Sequence, residues 1–100
     1  MTGVRRAIAI LSFVCLSACS ALGPRSFQAH YDAAVAAYQA GRRTEAIAEY
    51  TEAIRANPAS AEAHNNLGAV LYDVGERDAA VQEYRRALRL DPNSAETHNN

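Results

Sequence analysis

A chain of 100 residues can form at most one small domain, and a single hydrophobic core is only marginally stable at that size. The formal net charge of −1 argues against nucleic-acid binding, which needs clustered cations to face the phosphates. Both cysteines, Cys15 and Cys19, lie in the first nineteen residues, so the rest of the chain has no disulfide and must be held together by packing.

The first eighteen residues have the pattern of an export signal. Arg5 and Arg6 form a basic flank, and an unbroken run of twelve apolar and small residues follows from Ala7 to Ala18. This run is shorter than the roughly 20 residues that a transmembrane helix needs, and it matches the short apolar region of a secretory signal. We expect the rest of the chain to be exported, and loss of the two arginines changes the formal net charge from −1 to −3.

The export signal ends in LSAC, residues 16–19, which resembles the lipobox of bacterial lipoproteins. In that family the small residues fit the signal peptidase, and the cysteine receives a diacylglycerol and becomes the first residue after cleavage. The resemblance implies a signal peptide at residues 1–18 and lipidation at Cys19. The alternatives are an ordinary secretory signal with a chance cysteine, or an uncleaved anchor. Cys15 lies inside the apolar run and is assigned no role.

Residues 19–26 form the predicted lipidated N-terminus and tether. Gly23 and Pro24 disfavour a helix here, and the residues after Cys19 reach only about 25 Å when fully extended. An acylated Cys19 would hold the domain against a lipid membrane, durably with the three acyl chains that the resemblance implies. Ser20 is not the aspartate that often retains lipoproteins in the inner membrane, so we expect the periplasmic face of the outer membrane in a source with two membranes.

From Phe27 onward the sequence repeats itself at a period of thirty-four residues. A shift by this period aligns His30 with His64 and His98, Tyr38 with Tyr72, Gly41 with Gly75, Ala46 with Ala80, Tyr50 with Tyr84, Ala53 with Ala87, and Pro58 with Pro92. So many coincidences at one period predict a repeat protein.

The second unit, residues 61–94, resembles a tetratricopeptide repeat. The residues that meet the family pattern are Leu67, Gly68, Leu71, Ala80, Tyr84, Ala87 and Pro92. The resemblance implies an all-α fold of helix-turn-helix units, repeat 1 at residues 27–60 and repeat 2 at residues 61–94, stacked as a short right-handed solenoid behind the signal peptide. Residues 95–100 would begin an incomplete third repeat, and the chain is expected to be the N-terminal portion of a longer protein.

Helical periodicity in repeat 2 supports the same fold. Leu67, Leu71 and Val74 fall on one stripe, and Gly75 can end that helix in a left-handed conformation. Ser60 stands at an N-cap position. The second helix has an apolar face formed by Ala80, Val81, Tyr84, Ala87 and Leu88, and small residues at Gly68 and Ala80 should let the two helices approach closely, with Tyr84 filling the space beside them.

Repeat 1 departs from this pattern in its first helix. Three alanines, Ala33, Ala34 and Ala37, stand where repeat 2 has Leu67, Gly68 and Leu71. At about 0.8 kcal/mol per buried methylene group, this helix gains several kcal/mol less from packing. We therefore expect it to be the helix that frays most readily.

The family resemblance implies a peptide-binding groove on the concave surface formed by the first helix of each repeat. At 100° per residue, one set of side chains lies opposite the apolar stripe, with Tyr72 at its edge. The candidates are Glu62, Asn65, Asn66, Ala69, Tyr72 and Asp73 in repeat 2, the equivalents Gln28, Tyr31, Asp32, Val35, Tyr38 and Gln39 in repeat 1, and Asn100 in the third unit. Asn66 can donate to and accept from a peptide backbone, whereas a solvated helix face, or packing between repeats for the tyrosines, is the alternative.

The sequence predicts neither a metal site nor an enzyme. His30, His64 and His98 occupy equivalent positions in successive units, which are separated by roughly two interaxial distances of 8–10 Å, too far to share one metal ion. There is no glycine-rich phosphate loop and no motif for a nucleophile, so no catalytic residue and no cofactor is predicted.

The predicted function is a membrane-anchored interaction module. It would act as an adaptor or assembly factor that binds an envelope protein or a peptide segment on its concave face, without binding nucleic acid. The alternative is a structural scaffold of the cell envelope whose repeats pack on copies of themselves as a homo-oligomer.

Overall fold

The computed structural model describes residues 25–93, and residues 1–24 and 94–100 fall outside the description. The predicted signal peptide, the lipidation site Cys19 and the start of a third repeat with Asn100 therefore lie outside the described residues. Within residues 25–93 the chain forms four helices and no strand: α1 Phe27–Gln39, α2 Arg43–Ala56, α3 Ala61–Asp73 and α4 Arg77–Leu90. The all-α prediction is confirmed for this part of the chain.

The first helix of each repeat begins and ends at residues that favour a boundary. Ser26 and Ser60 are the N-caps of α1 and α3, and each Oγ accepts a hydrogen bond from the backbone N–H three residues later. After these two helices the chain turns at Gly41 with φ of 78° and at Gly75 with φ of 88°, a conformation that glycine adopts without strain. The predictions for Ser60 and Gly75 are confirmed.

Consecutive helices pack against one another, α1 on α2, α2 on α3 and α3 on α4. Each repeat is a helical hairpin, and the contact between α2 and α3 joins the two hairpins. One hydrophobic cluster crosses this joint, with members from α1, α2 and α3: Ala34, Ala37, Ala46, Tyr50, Leu67 and Val70. Because these side chains share one core, burial of the cluster fixes the position of α1 beside α3.

The predicted apolar faces are only partly covered. Leu67 is buried and Leu71 packs against the cluster, but Val74 is the C-cap of α3 and is 42% exposed. The prediction that Val74 belongs to the buried stripe is wrong, because α3 ends one residue earlier and the chain turns there. Val81 on α4 is also exposed. No helix in the described part of the chain is long and apolar enough to cross a membrane.

A glycine permits the close packing of α3 on α4. Gly68 is buried, and a Cβ added to it would lie 2.8 Å from Cε1 and 2.9 Å from Cδ1 of Tyr84. Real Cβ atoms do not approach other atoms so closely, so the Tyr84 ring occupies the space that a side chain at position 68 would need. The predicted roles of Gly68 and Tyr84 are confirmed.

Replacing Gly68 by alanine should lower the free energy of unfolding by about 1 to 2 kcal/mol, because overpacking against Tyr84 outweighs the roughly 1 kcal/mol by which alanine favours a helix interior. In a Tyr84→Ala background, which removes the ring, the same substitution should raise the free energy of unfolding by up to about 1 kcal/mol. Urea denaturation of the four proteins, followed by circular dichroism, measures both values. A cost of Gly68→Ala that persists without the tyrosine ring would contradict the clash.

Candidate peptide-binding groove

A groove lies between the first helices of the two repeats, α1 and α3. Its volume is about 420 Å³, and the residues that line it are Tyr31, Val35, Tyr38, Gln39, Tyr50, Asn66, Ala69 and Val70. We call this surface the inter-repeat groove. The structure thus brings three of the principal predicted site residues, Tyr38, Asn66 and Ala69, to one cavity. Of the other predicted equivalents on α1, Tyr31, Val35 and Gln39 line this cavity, whereas Gln28 and Asp32 do not.

Two carboxylates that the sequence assigned to the site, Asp73 and Glu62, lie beside the tyrosines of the inter-repeat groove. The Tyr38 hydroxyl donates a hydrogen bond to Oδ2 of Asp73 at 2.5 Å. The Tyr31 hydroxyl is hydrogen-bonded to Glu62. Both carboxylates are themselves exposed, so each combines a fixed hydrogen bond with access to solvent.

Three further predicted residues do not line the inter-repeat groove. Asp32 is exposed on α1 and accepts a hydrogen bond from Nε2 of Gln28 at 2.8 Å. Tyr72 is 56% exposed, and the guanidinium of Arg77 lies 5.8 Å from the centre of its ring. Asn65 is only 6% exposed, which corrects its assignment to an accessible groove surface. Successive helical residues are turned by 100°, so Asn65 lies on the packed side while Asn66 remains beside the groove.

Besides the bond between Tyr31 and Glu62, two hydrogen bonds tie the repeats together across the inter-repeat groove. Nδ2 of Asn66 donates to the Tyr31 hydroxyl at 2.7 Å, and the bond from Tyr38 to Asp73 forms the second link. Each bond joins residues thirty-five positions apart, one more than the sequence period. Asn66 was expected to use its amide on a bound peptide, but part of its donor capacity is used within the protein.

Tyr50 connects the inter-repeat groove to the core. It is only 3% exposed and belongs to the central cluster, although its ring also forms part of the groove wall. Tyr31 meets it edge-on at 5.7 Å between ring centres, and the ring centres of Phe27 and Tyr31 are 5.6 Å apart. The sequence only aligned Tyr50 with Tyr84, because a helical pattern cannot tell which neighbouring helix a ring will touch.

The surroundings raise the pKa of the tyrosines in the inter-repeat groove. Burial, followed by the hydrogen bond to Glu62, raises the pKa of Tyr31 well above its ordinary value. For Tyr38 the hydrogen bond to Asp73 is the main cause of the raised pKa, ahead of burial. Both hydroxyls therefore stay protonated at neutral pH and keep donating to their carboxylates.

Each of the two described histidines, His30 and His64, pairs with a glutamate of the second helix and does not line the inter-repeat groove. Nδ1 of His30 lies 2.7 Å from Oε2 of Glu49, and Nδ1 of His64 lies 2.6 Å from Oε2 of Glu83. In both repeats the partners are nineteen residues apart and join the first helix to the second. His64 also contacts the backbone oxygen of Pro58 through Nε2 at 3.0 Å. Among the described residues, no three His, Cys, Asp or Glu side chains come together to hold a metal ion.

The two histidine pairs differ in burial, which predicts different costs of removal. The side chains of His64 and Glu83 are 7% and 11% exposed, whereas those of His30 and Glu49 are 17% and 22% exposed. His64→Ala should lower the free energy of unfolding by about 3 kcal/mol, because it leaves a buried carboxylate short of a partner. His30→Ala, the matched control, should cost about 1 kcal/mol. Equal costs in urea denaturation would contradict a structural role set by burial.

The comparisons with known proteins agree with the repeat architecture. The sequence profile described as "Tetratricopeptide repeat" matches residues 5–51 and residues 31–95, so the first match begins within the predicted signal peptide. The crystal structure of MamA is similar to this chain, with a TM-score of 0.69 and 29% sequence identity. The similarity covers 72% of this chain and 42% of that chain, so this chain spans less than half the length of the MamA chain. No curated protein matches the sequence significantly.

Proposed function

Because the chain belongs to the tetratricopeptide repeat family, we propose that it is a protein–protein interaction module that holds a segment of a partner protein in the inter-repeat groove. The observation that carries this proposal is the groove itself, a cavity of about 420 Å³ between the two repeats. That volume is within the range of roughly 300 to 1,000 Å³ that is common for binding pockets. Its apolar floor can take a side chain of the partner, and its polar residues lie beside that floor.

The groove is already organised for binding. Tyr31 and Tyr38 are held by hydrogen bonds to α3, and Tyr50 is held by the core. Side chains that are fixed before binding lose little conformational entropy when a partner arrives. Tyrosine also provides a rigid contact surface with few rotatable bonds. These features support a groove that binds a short segment.

The proposal includes a membrane anchor at Cys19. Its support is the sequence LSAC at residues 16–19, the basic flank and the short apolar run before it. The first described helix begins at Phe27, so the tether between the lipid and the domain is short. The protein would then act as an adaptor or assembly factor at the periplasmic face of the outer membrane.

A self-associating scaffold is the second candidate, and the exposed surface of α4 favours it. Val81 is 45% exposed and Leu90 is 43% exposed. Ile47, which occupies in α2 the position that Val81 occupies in α4, packs against the central cluster. Within the described residues, the equivalent apolar surface of α4 is uncovered, and a second copy of the chain could pack on it unless the predicted third repeat covers it.

The anchor is tested by changing each cysteine in turn. Cys19→Ala should abolish incorporation of labelled palmitate and release the protein from the membrane fraction, because it removes the acylated sulfur. Cys15→Ala, the matched control, should leave both unchanged. Membrane retention of the unlabelled Cys19→Ala protein would instead indicate an uncleaved anchor.

The inter-repeat groove is tested by partly filling it. Ala69→Gln adds a neutral side chain that suits a helix, and Ala48→Gln places the same change on an exposed position of α2 as a control. Ala69→Gln should weaken the binding of short peptides, selected from a random display library on the purified full chain, by at least about tenfold. Ala48→Gln should bind them as the unaltered chain does. Equal binding by both variants would contradict a site in the groove, and a mass that rises with concentration while no peptide is enriched would support the scaffold.

A further inference from the structure

Most carboxylates of the second helices are paired with cations; Asp78, in the first turn of α4, is the exception among the described residues. Glu49 lies 3.7 Å from Arg25 and contacts His30, and Glu52 lies 3.3 Å from Arg55. On α4, Glu83 contacts both His64 and Arg86. The negative charge in the body of α2 and α4 is therefore balanced by partners within the protein.

The carboxylates on the first helices have no such partner. Asp32, Glu62 and Asp73 are hydrogen-bonded to neutral groups, and within residues 25–93 none of the three lies within ion-pair distance of an arginine or a histidine. The guanidinium of Arg77, near the end of α3, lies over the Tyr72 ring. Within the described residues, the negative charge beside the inter-repeat groove is thus not ion-paired, although Arg43 lies close enough to Tyr38 to lower the pKa of that tyrosine.

The hydrogen bonds of the groove favour a ligand that donates. Tyr38 donates to Asp73, the Tyr31 hydroxyl bonds Glu62, and Asn66 donates to Tyr31. Each carboxylate has room for further hydrogen bonds, because an ionised carboxylate accepts about four. An arginine or lysine side chain brings several donors and no acceptor, so it matches what the groove leaves unused.

The aromatic rings favour the same ligand. Tyr31, Tyr38 and Tyr50 line the inter-repeat groove, and a cation is attracted to the face of a tyrosine ring. The described part of the chain contains such a contact, between Arg77 and Tyr72 at 5.8 Å. A basic side chain in the groove could therefore lie over a ring while its charge approaches a carboxylate.

The two carboxylates lie towards opposite ends of the groove. Glu62 is in the first turn of α3 and Asp73 is its last residue, which separates their backbones by about 16 Å at 1.5 Å per residue. An extended peptide covers that distance in about five residues at 3.3 Å each. Two basic side chains about five residues apart could thus reach both carboxylates.

We infer that the segment bound in the inter-repeat groove is an extended peptide with basic side chains, which lie over the tyrosine rings and pair with Glu62 and Asp73. This inference rests on the proposed function and adds the chemistry of the partner. Its support is charge complementarity: the carboxylates without an ion-pair partner, their unused acceptor positions and the aromatic lining all suit the same type of side chain.

The test uses three peptide libraries that are identical except at two fixed positions five residues apart, which carry Arg, Ala or Glu. The purified full chain should enrich the Arg library about tenfold over the Ala library and should enrich the Glu library least. The double variant Glu62→Gln/Asp73→Asn should lose this preference. The control Glu45→Gln/Asp78→Asn, which changes the net charge by the same amount at exposed positions away from the groove, should keep it.

The outcomes separate this inference from the proposed function. If the three libraries are enriched equally and Ala69→Gln abolishes that enrichment, the groove remains a peptide site but the preference for basic side chains is overturned. A preference for Arg that both double variants retain would also overturn the inference, because the basic side chains would then be recognised at another site. If Ala69→Gln changes no library's binding, the groove is not the site and the proposed function fails. If no library is enriched, and the chain self-associates in a way that Glu62→Gln/Asp73→Asn abolishes, then the groove binds a second copy of the chain and the inference is overturned.

Discussion

The described fold depends on packing a tyrosine of each second helix beside a small residue of the first. In repeat 2 the Tyr84 ring fills the space over Gly68, and in repeat 1 Tyr50 shares a buried cluster with Ala34. No disulfide is available to these residues, so the free energy of folding must come from such contacts. The groove follows from this packing, because the Tyr50 ring that is fixed in the core also forms the groove wall against which Tyr31 rests.

Much of the fold could be predicted from the sequence, because it is set by local signals that recur. The period of thirty-four residues, the cap at Ser60 and the glycine turn at Gly75 each depend on a few neighbouring residues. The candidate groove was predicted less well. Asn65 and Asn66 are adjacent and chemically identical, yet one is buried and the other lines the groove, since burial depends on a rotation of 100° against the neighbouring helices. Whether a single residue is accessible therefore depends on how the helices pack together, and its position in the sequence does not decide it.

The histidine–glutamate pairs could have been predicted from the sequence by comparing two positions of the repeat together, the histidine and the glutamate nineteen residues after it. His30 and His64 are one period apart, and so are their partners Glu49 and Glu83. The histidines alone led only to the prediction that they do not share a metal ion, whereas the repeated pair indicates a contact between the two helices of each unit. The hydrogen bonds from α1 to α3 gave no such signal, because one joins Tyr31 to Asn66 and the other joins Tyr38 to Asp73, so they do not repeat the same pair of residue types.

The groove also compensates for a weak point of repeat 1. Its first helix is rich in alanine and is predicted to gain less from burial than the first helix of repeat 2, but Tyr31 and Tyr38 bind it to α3 through side chains that cross the groove. The residues that offer a surface to a partner are thus the ones that hold α1 in place. A ligand that binds only this arrangement must stabilise α1 by mass action, in proportion to its occupancy. Binding and local stability are therefore coupled in α1, and a substitution that loosens this helix weakens the site even where it touches no ligand.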